Sequence, residues 1–205
     1  MEKEKTILHL VYMYSRSCIK LVENILEQEF PTQSFIVRLG KVEIHPKLSA
    51  SEKDALLNQL AVAGFPEAKN HDQQITEKIK IAAVELIFQA MNINSLIRNS
   101  DYISDKLQMP YDKLSRIFSK TTGTTLEKYL IVLKIEKVKE LLERDEFTLS
   151  EIAYMLGYSS VQYLSNQFRK VSGFTVSEYK QNLERERIPL EDLLHCEQYR
   201  SFFQA

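Results

Sequence analysis

Residues 114–129, LSRIFSKTTGTTLEKY, and residues 164–179, LSNQFRKVSGFTVSEY, are two copies of one pattern. Leu114, Ser115, Phe118, Lys120, Gly123, Thr125 and Tyr129 recur at a constant offset as Leu164, Ser165, Phe168, Lys170, Gly173, Thr175 and Tyr179. Self-similarity of this density marks a duplicated structural unit. Upstream the match continues with a one-residue change of offset: Ile103 and Leu107 correspond to Ile152 and Leu156, and Asn99 to Thr148 as expected helix N-caps. Thr148 with Glu151 has the spacing of a capping box, and Gly157 is placed to end that helix. Each copy therefore reads as helix, tight turn, helix.

Helical spacing then divides the second helix of each copy into two faces. In the later copy Leu164, Phe168 and Val171 form the apolar stripe, and Ser159, Gln162, Asn166, Arg169 and Lys170 fall opposite. In the earlier copy Leu114, Ile117 and Phe118 are expected inside, with Asp112, Lys113, Arg116, Ser119 and Lys120 outside. Both Tyr129 and Tyr179 read as core. Arg, Lys, Asn and Gln are the side chains whose paired donors and acceptors fit base edges in a major groove. Between the copies Ile131, Ile135, Val138 and Leu142 share one face of an uninterrupted helix. Such a connector could hold the two outward faces about one duplex turn apart, roughly 34 Å.

The first third of the chain has a different period. Thr6 to Met13 reads as a strand, Ile19 to Leu26 as a helix, and Phe35, Val37 and Leu39 with Val42 and Ile44 as a hairpin about Gly40. Ser49 and Glu52 start a second helix through Leu56, Leu57 and Leu60, which Gly64 ends, and a last strand is expected near Phe65. That order is most of a ferredoxin-like βαββαβ sandwich. The polar run from Pro66 to Gln74 is read as a domain boundary, and Ile75 to Met91 as a long helix.

The motifs Ser150–Tyr158 (SEIAYMLGY), Tyr163–Lys170 (YLSNQFRK) and Gly173–Thr175 (GFT) resemble the signature of the AraC/XylS family of bacterial regulators, over about residues 75–182. The resemblance implies a seven-helix double helix-turn-helix domain binding double-stranded DNA, with recognition helices near Tyr111 to Thr121 and Ser160 to Val171. It implies base contacts from Asp112, Ser115, Arg116, Val161, Gln162 and Asn166, and phosphate contacts from Lys113, Ser119, Lys120, Arg169 and Lys170. Lys and Arg only slightly outnumber Asp and Glu there, and Asp112 would repel phosphate while being able to accept from a cytosine amine. The N-terminal third resembles, more loosely, a heavy-metal-associated domain. Its Met-x-Cys-x-x-Cys loop reads here Met13-Tyr14-Ser15-Arg16-Ser17-Cys18, so Ser15 replaces the first thiol and Cys18 alone remains.

The expected architecture is mainly α: a small α+β ferredoxin-like domain at 1–70, a linker at 71–74, the DNA-binding domain at 75–182, and a tail at 183–205, charged and then aromatic, with no assigned role. A net charge of -1 excludes indiscriminate coating of nucleic acid but leaves room for one basic face. The two cysteines near opposite ends suit free thiols in a reducing compartment, and with no apolar run long enough to span a bilayer the expected setting is cytoplasmic. Four scattered histidines and five glycines assemble no triad, phosphate loop or metal site, so neither an enzyme nor a cofactor is expected. The leading function is sequence-specific transcription regulation, with the N-terminal domain sensing a protein partner, a ligand or a second protomer. The alternatives are an adaptor that has lost DNA, or a metal or thiol sensor acting through Cys18.

Overall fold

The computed structural model describes residues 4–89, 99–181 and 187–204. It is mainly helical, with one three-stranded antiparallel sheet, and divides into two compact units, 1–81 and 82–205.

The first unit runs β1 (Thr6–His9), α1 (Arg16–Glu29), β2 (Ser34–Arg38), β3 (Lys41–His45) and α2 (Ala50–Val62). The strands lie in the order β1-β3-β2, with Leu8 opposite Val42 and Val37 opposite the same residue from the other side. That register puts Leu8, Val42 and Ile44 on one face, where they pack with Val22 and Leu26 of α1 and Leu56 and Leu60 of α2. α2 opens on the expected capping box, the Ser49 hydroxyl accepting from the Glu52 amide while the Glu52 carboxylate accepts from the Ser49 amide. The Ser15 hydroxyl caps α1 by accepting from the Cys18 amide, without the reciprocal half of a capping box. β1 is shorter than the expected strand through Met13. Beyond it, Leu10 forms a single antiparallel bridge with Glu67, which is all that stands at the expected last strand.

On the opposite sheet face, Glu43 sits between Ile7 of β1 and Ile36 of β2. Its carboxylate takes Nζ of Lys5 at 2.7 Å and of Lys41 at 2.5 Å. These hydrogen-bonded ammonium groups hold the Glu43 pKa down at about 2. A depressed carboxylate contributes stability that is complete above its unfolded-state value and is lost as pH falls through the folded one. A carbon-detected NMR titration should therefore place the Glu43 midpoint near 2, and Lys41→Met should move it up toward 4.5, the ordinary glutamate value.

Residues 71–74, expected as a linker, are instead the first turn of α3 (His71–Val84). The Asn70 side chain accepts from the Gln73 amide at 2.9 Å, and the Gln73 side chain accepts from the Lys69 amide at 2.7 Å. The end of the polar run is thus a helix start, with Asn70 among the residue types that favour such a cap. Further along, Glu77 accepts from the Tyr12 amide and the Tyr14 hydroxyl, both at 3.1 Å, and from Lys80 Nζ at 2.8 Å. These bonds tie the helix to residues 10–14 of the same unit.

In the second unit, α3 continues into a π-helical turn, Glu85–Gln89. The expected end of that helix at Ala90 and Met91 lies outside the described residues. There follow α4 (Asn99–Leu107), α5 (Tyr111–Thr122), α6 (Leu126–Arg144), α7 (Leu149–Met155), α8 (Val161–Ser172), α9 (Val176–Gln181) and α10 (Glu197–Gln204). Asn99, expected as an N-cap, is the first described residue of α4. Thr148 and Glu151 form their capping box at the start of α7.

α6 is the centre of this unit. Besides Ile135, Val138 and Leu142 it buries Glu136, Lys137 and Lys139, whereas Ile131 is only half-buried. Glu136 and Lys139 are enclosed because the segment from 187 on, to which the sequence assigns no role, packs back: α10 lies against α6 and α8, whereas Lys137 stands over the Phe88 ring at 5.3 Å. Tyr199 is fully buried there, its hydroxyl donating to Glu136 and accepting from Lys139 Nζ at 2.8 Å, while Lys139 also pairs with Glu136 at 2.6 Å. Lys128 Nζ reaches the Phe203 carbonyl at 3.1 Å, and the Gln198 amide reaches that of Ser172 at 3.1 Å.

Candidate nucleic-acid interface

The sequence repeat returns as a repeat of local geometry. Phe118 packs on Tyr129 with ring centroids 5.2 Å apart, and Phe168 packs on Tyr179 at 5.6 Å. Thr122 and Ser172 each fold a hydroxyl back onto the carbonyl four residues before, that of Phe118 at 2.8 Å and of Phe168 at 2.7 Å. Gly123 and Gly173 then stand in the left-handed region with φ of 76° and 81°, where an added Cβ would cost about 1–2 kcal/mol.

Within each copy the two helices meet at a short turn. Between α7 and α8, Gly157 takes φ of 68°, and between α4 and α5 the matching residue is Gln108 at φ of 51°. The first turn is thus built without glycine; Pro110, with φ of -57°, precedes the first residue of α5. α8 has Ser160 as its N-cap, the hydroxyl accepting from the Tyr163 amide.

These turns present one face of α5 and one of α8 outward. On α5, Leu114 and Phe118 are buried, while Asp112, Lys113, Arg116 and Lys120 are exposed and Ser115 and Ser119 half-buried. Ile117, expected in the core, is also only half-buried, since it lies to one side of the Leu114–Phe118 stripe. On α8, Leu164, Phe168 and Val171 are buried as expected; Gln162, Asn166, Arg169 and Lys170 are exposed and Val161 is half-buried. The Gln162 amide donates to the Asn166 side-chain oxygen at 3.0 Å, one helical turn on. A residue the outward-face reading left out is Tyr163, which is 53% exposed at the start of α8. It falls one position off the apolar stripe of Leu164, Phe168 and Val171.

The charges on these faces are differently disposed from those behind them. In α6, Lys137 and Arg144 pair with Glu140 at 3.0 and 2.7 Å, and Lys139 pairs with Glu136. Lys180 of α9 pairs with Asp145 at 2.6 Å. Among the described residues no ion pair engages Lys113, Arg116, Arg169 or Lys170. These four cations, on two equivalent helix faces and without an ion pair among the described residues, suit an anionic partner outside the chain.

At the other end of the chain, the Cys18 thiol lies 3.3 Å from the Ser15 hydroxyl, at the N-terminus of α1. Ser15 is thereby engaged as a helix cap.

Residues 103–182 match a family model described as a helix-turn-helix domain. Among curated proteins, the chain is similar to the Msm operon regulatory protein of Streptococcus mutans, 23% identical over 120 residues that cover 58% of this chain and 42% of that protein. It is also similar to the HTH-type transcriptional activator RhaR of Mannheimia succiniciproducens, 30% identical over 103 residues, 49% of this chain and 37% of that protein. The chain thus spans less than half the length of these relatives. Among solved structures, the DNA-binding domain of AdpA in complex with a target DNA aligns at 21% identity and a TM-score of 0.41, covering 51% of this chain and 96% of that one.

Proposed function

We propose that this chain is a sequence-specific, DNA-binding transcription regulator of the AraC/XylS kind, reading two successive major grooves with α5 and α8. The observation that carries the reading is the pair of equivalent outward faces at matched positions flanking α6, on which, among the described residues, no ion pair engages Lys113, Arg116, Arg169 or Lys170. α6 has 19 residues, so at the helical rise it is roughly 28 Å long, commensurate with the roughly 34 Å between successive major grooves on one side of a duplex. The base-reading set is Asp112, Ser115, Arg116, Val161, Gln162 and Asn166. Lys113, Ser119, Lys120, Arg169 and Lys170 meet phosphate.

Gln162 and Asn166, joined through their amides, are suited to adenine, and Arg116 to guanine. With four cations in the phosphate set, log affinity should fall with log salt at a slope of roughly -3 to -4. A fluorescence-anisotropy titration across salt concentrations tests this. A flat response would favour the adaptor reading, in which the same faces bind protein.

For the first unit, the strand order β1-β3-β2 and the Leu10–Glu67 bridge beside β1 support a ferredoxin-like sandwich whose fourth strand is reduced to one bridge. Such a unit serves as the surface for a second protomer or a protein partner. The serine at the first thiol position leaves Cys18 without the paired thiolate that soft metals select, so the metal-sensor reading is the weaker one.

A further inference from the structure

A second feature of the helical unit lies apart from its outward faces. A cleft of about 450 Å³ opens among both helix-turn-helix units and α6, within the size range of small-molecule sites. Its apolar and aromatic lining comes from Tyr111 of α5, Leu130 and Ile131 of α6, and Tyr158 and Tyr163 of the second helix-turn-helix. Two charged residues also line it, Glu127 and Lys134.

The two charges are differently satisfied. The Glu127 carboxylate accepts the Tyr111 hydroxyl at 2.9 Å and is exposed. Lys134 is half-buried, and its Nζ donates to the Leu156 carbonyl at 3.0 Å and stands 5.6 Å from the centre of the Tyr158 ring. Both of those partners are neutral. Among the described residues no carboxylate pairs with Lys134, whereas the buried Lys137 and Lys139 on the same helix each have one. Burial holds its ammonium below the usual lysine range. A desolvated cation lacking a counter-ion, with donors to spare, favours an incoming anion.

We propose that this cleft binds a small aromatic carboxylate, the carboxylate on Lys134 Nζ and the ring against Tyr158 and Tyr163. Those rings, with centroids 6.0 Å apart and tilted by 54°, offer an edge and a face to a third ring. Because the walls come from both helix-turn-helix units, an occupant would favour one separation of α5 and α8 and so bias DNA affinity. That consequence rests on the DNA-binding reading; the binding itself does not.

The test needs no DNA. Phenylacetate, its neutral isostere phenylacetamide and benzylamine are titrated calorimetrically into the full chain, with far-ultraviolet circular dichroism as a folding check. Phenylacetate should bind saturably and about ten- to a hundred-fold tighter than phenylacetamide, the value of one charge-assisted hydrogen bond. Lys134→Met should abolish that discrimination. Tyr163→Ala, at an exposed position that leaves the core intact, should weaken both aromatic acyl probes. Absence of saturable phenylacetate binding, tighter binding of benzylamine, discrimination that persists in folded Lys134→Met, or affinity unchanged in Tyr163→Ala would each overturn the proposal.

Discussion

Replacing Tyr199 by Ala is expected to destabilise the helical unit by about 3–5 kcal/mol, the range for truncating a buried aromatic ring. The ring is wholly enclosed between α10 and α6 and packs edge-on against Phe203 with centroids 6.5 Å apart. Its hydroxyl also completes a buried trio with Glu136 and Lys139. A buried ion pair deprived of a hydrogen-bonding neighbour retains its desolvation cost without the full compensation. Tyr199→Phe, which keeps the ring, should therefore still cost about 1–3 kcal/mol. Urea unfolding followed by circular dichroism reads both values from the shift in midpoint. A loss below about 1 kcal/mol in Tyr199→Ala, where surface substitutions fall, would mean that residues 187–204 do not dock as described.

The other large effect is on DNA. Arg116→Ala and Asn166→Ala should each weaken binding to the preferred site by about 1–3 kcal/mol and relax base preference in one half-site. They lie on separate helices, so their effects should add, to about 2–6 kcal/mol and roughly thirty-fold to more than ten-thousand-fold in affinity. Both residues are exposed, so the double variant should unfold like the parent. Lys170→Ala offers the contrast: as a phosphate contact it should weaken all sequences alike and reduce the salt slope by about one. Competition with scrambled duplexes at fixed salt separates the two behaviours.

The parts of this structure that were legible beforehand are those specified locally. Phe118 with Tyr129 and Phe168 with Tyr179, the Thr148–Glu151 and Ser49–Glu52 boxes, and the hairpin about Gly40 all follow from residues close in sequence, whose spacing carries the geometry. The candidate interface was legible for the same reason, because a duplicated apolar stripe on α5 and α8 defines what lies opposite it. Tyr163 has no place in that reading because an aromatic side chain beside an apolar stripe carries no signal of exposure in a helical periodicity. The start of α3 is not legible because Asn70, His71 and Asp72 read as a polar turn, while an Asn side chain serves equally as a helix cap, and only its hydrogen bond to the Gln73 amide distinguishes the two. The docking of α10 was hidden for a different reason. Glu136 and Lys139 look like a solvated face of α6 by charge alone, and their burial depends on Tyr199, about sixty residues further along the chain, reaching back to them.

Selection of genomic fragments by the purified protein at near-physiological salt, run in parallel with the Arg116→Ala plus Asn166→Ala variant, tests the central claim most directly. The expected result is an enriched motif of two half-sites about 10 base pairs apart, centre to centre, recovered by the parent and lost in the folded double variant. Recovery of the same fragments by both proteins, or of no motif from parent protein shown to be folded, would contradict sequence readout through α5 and α8.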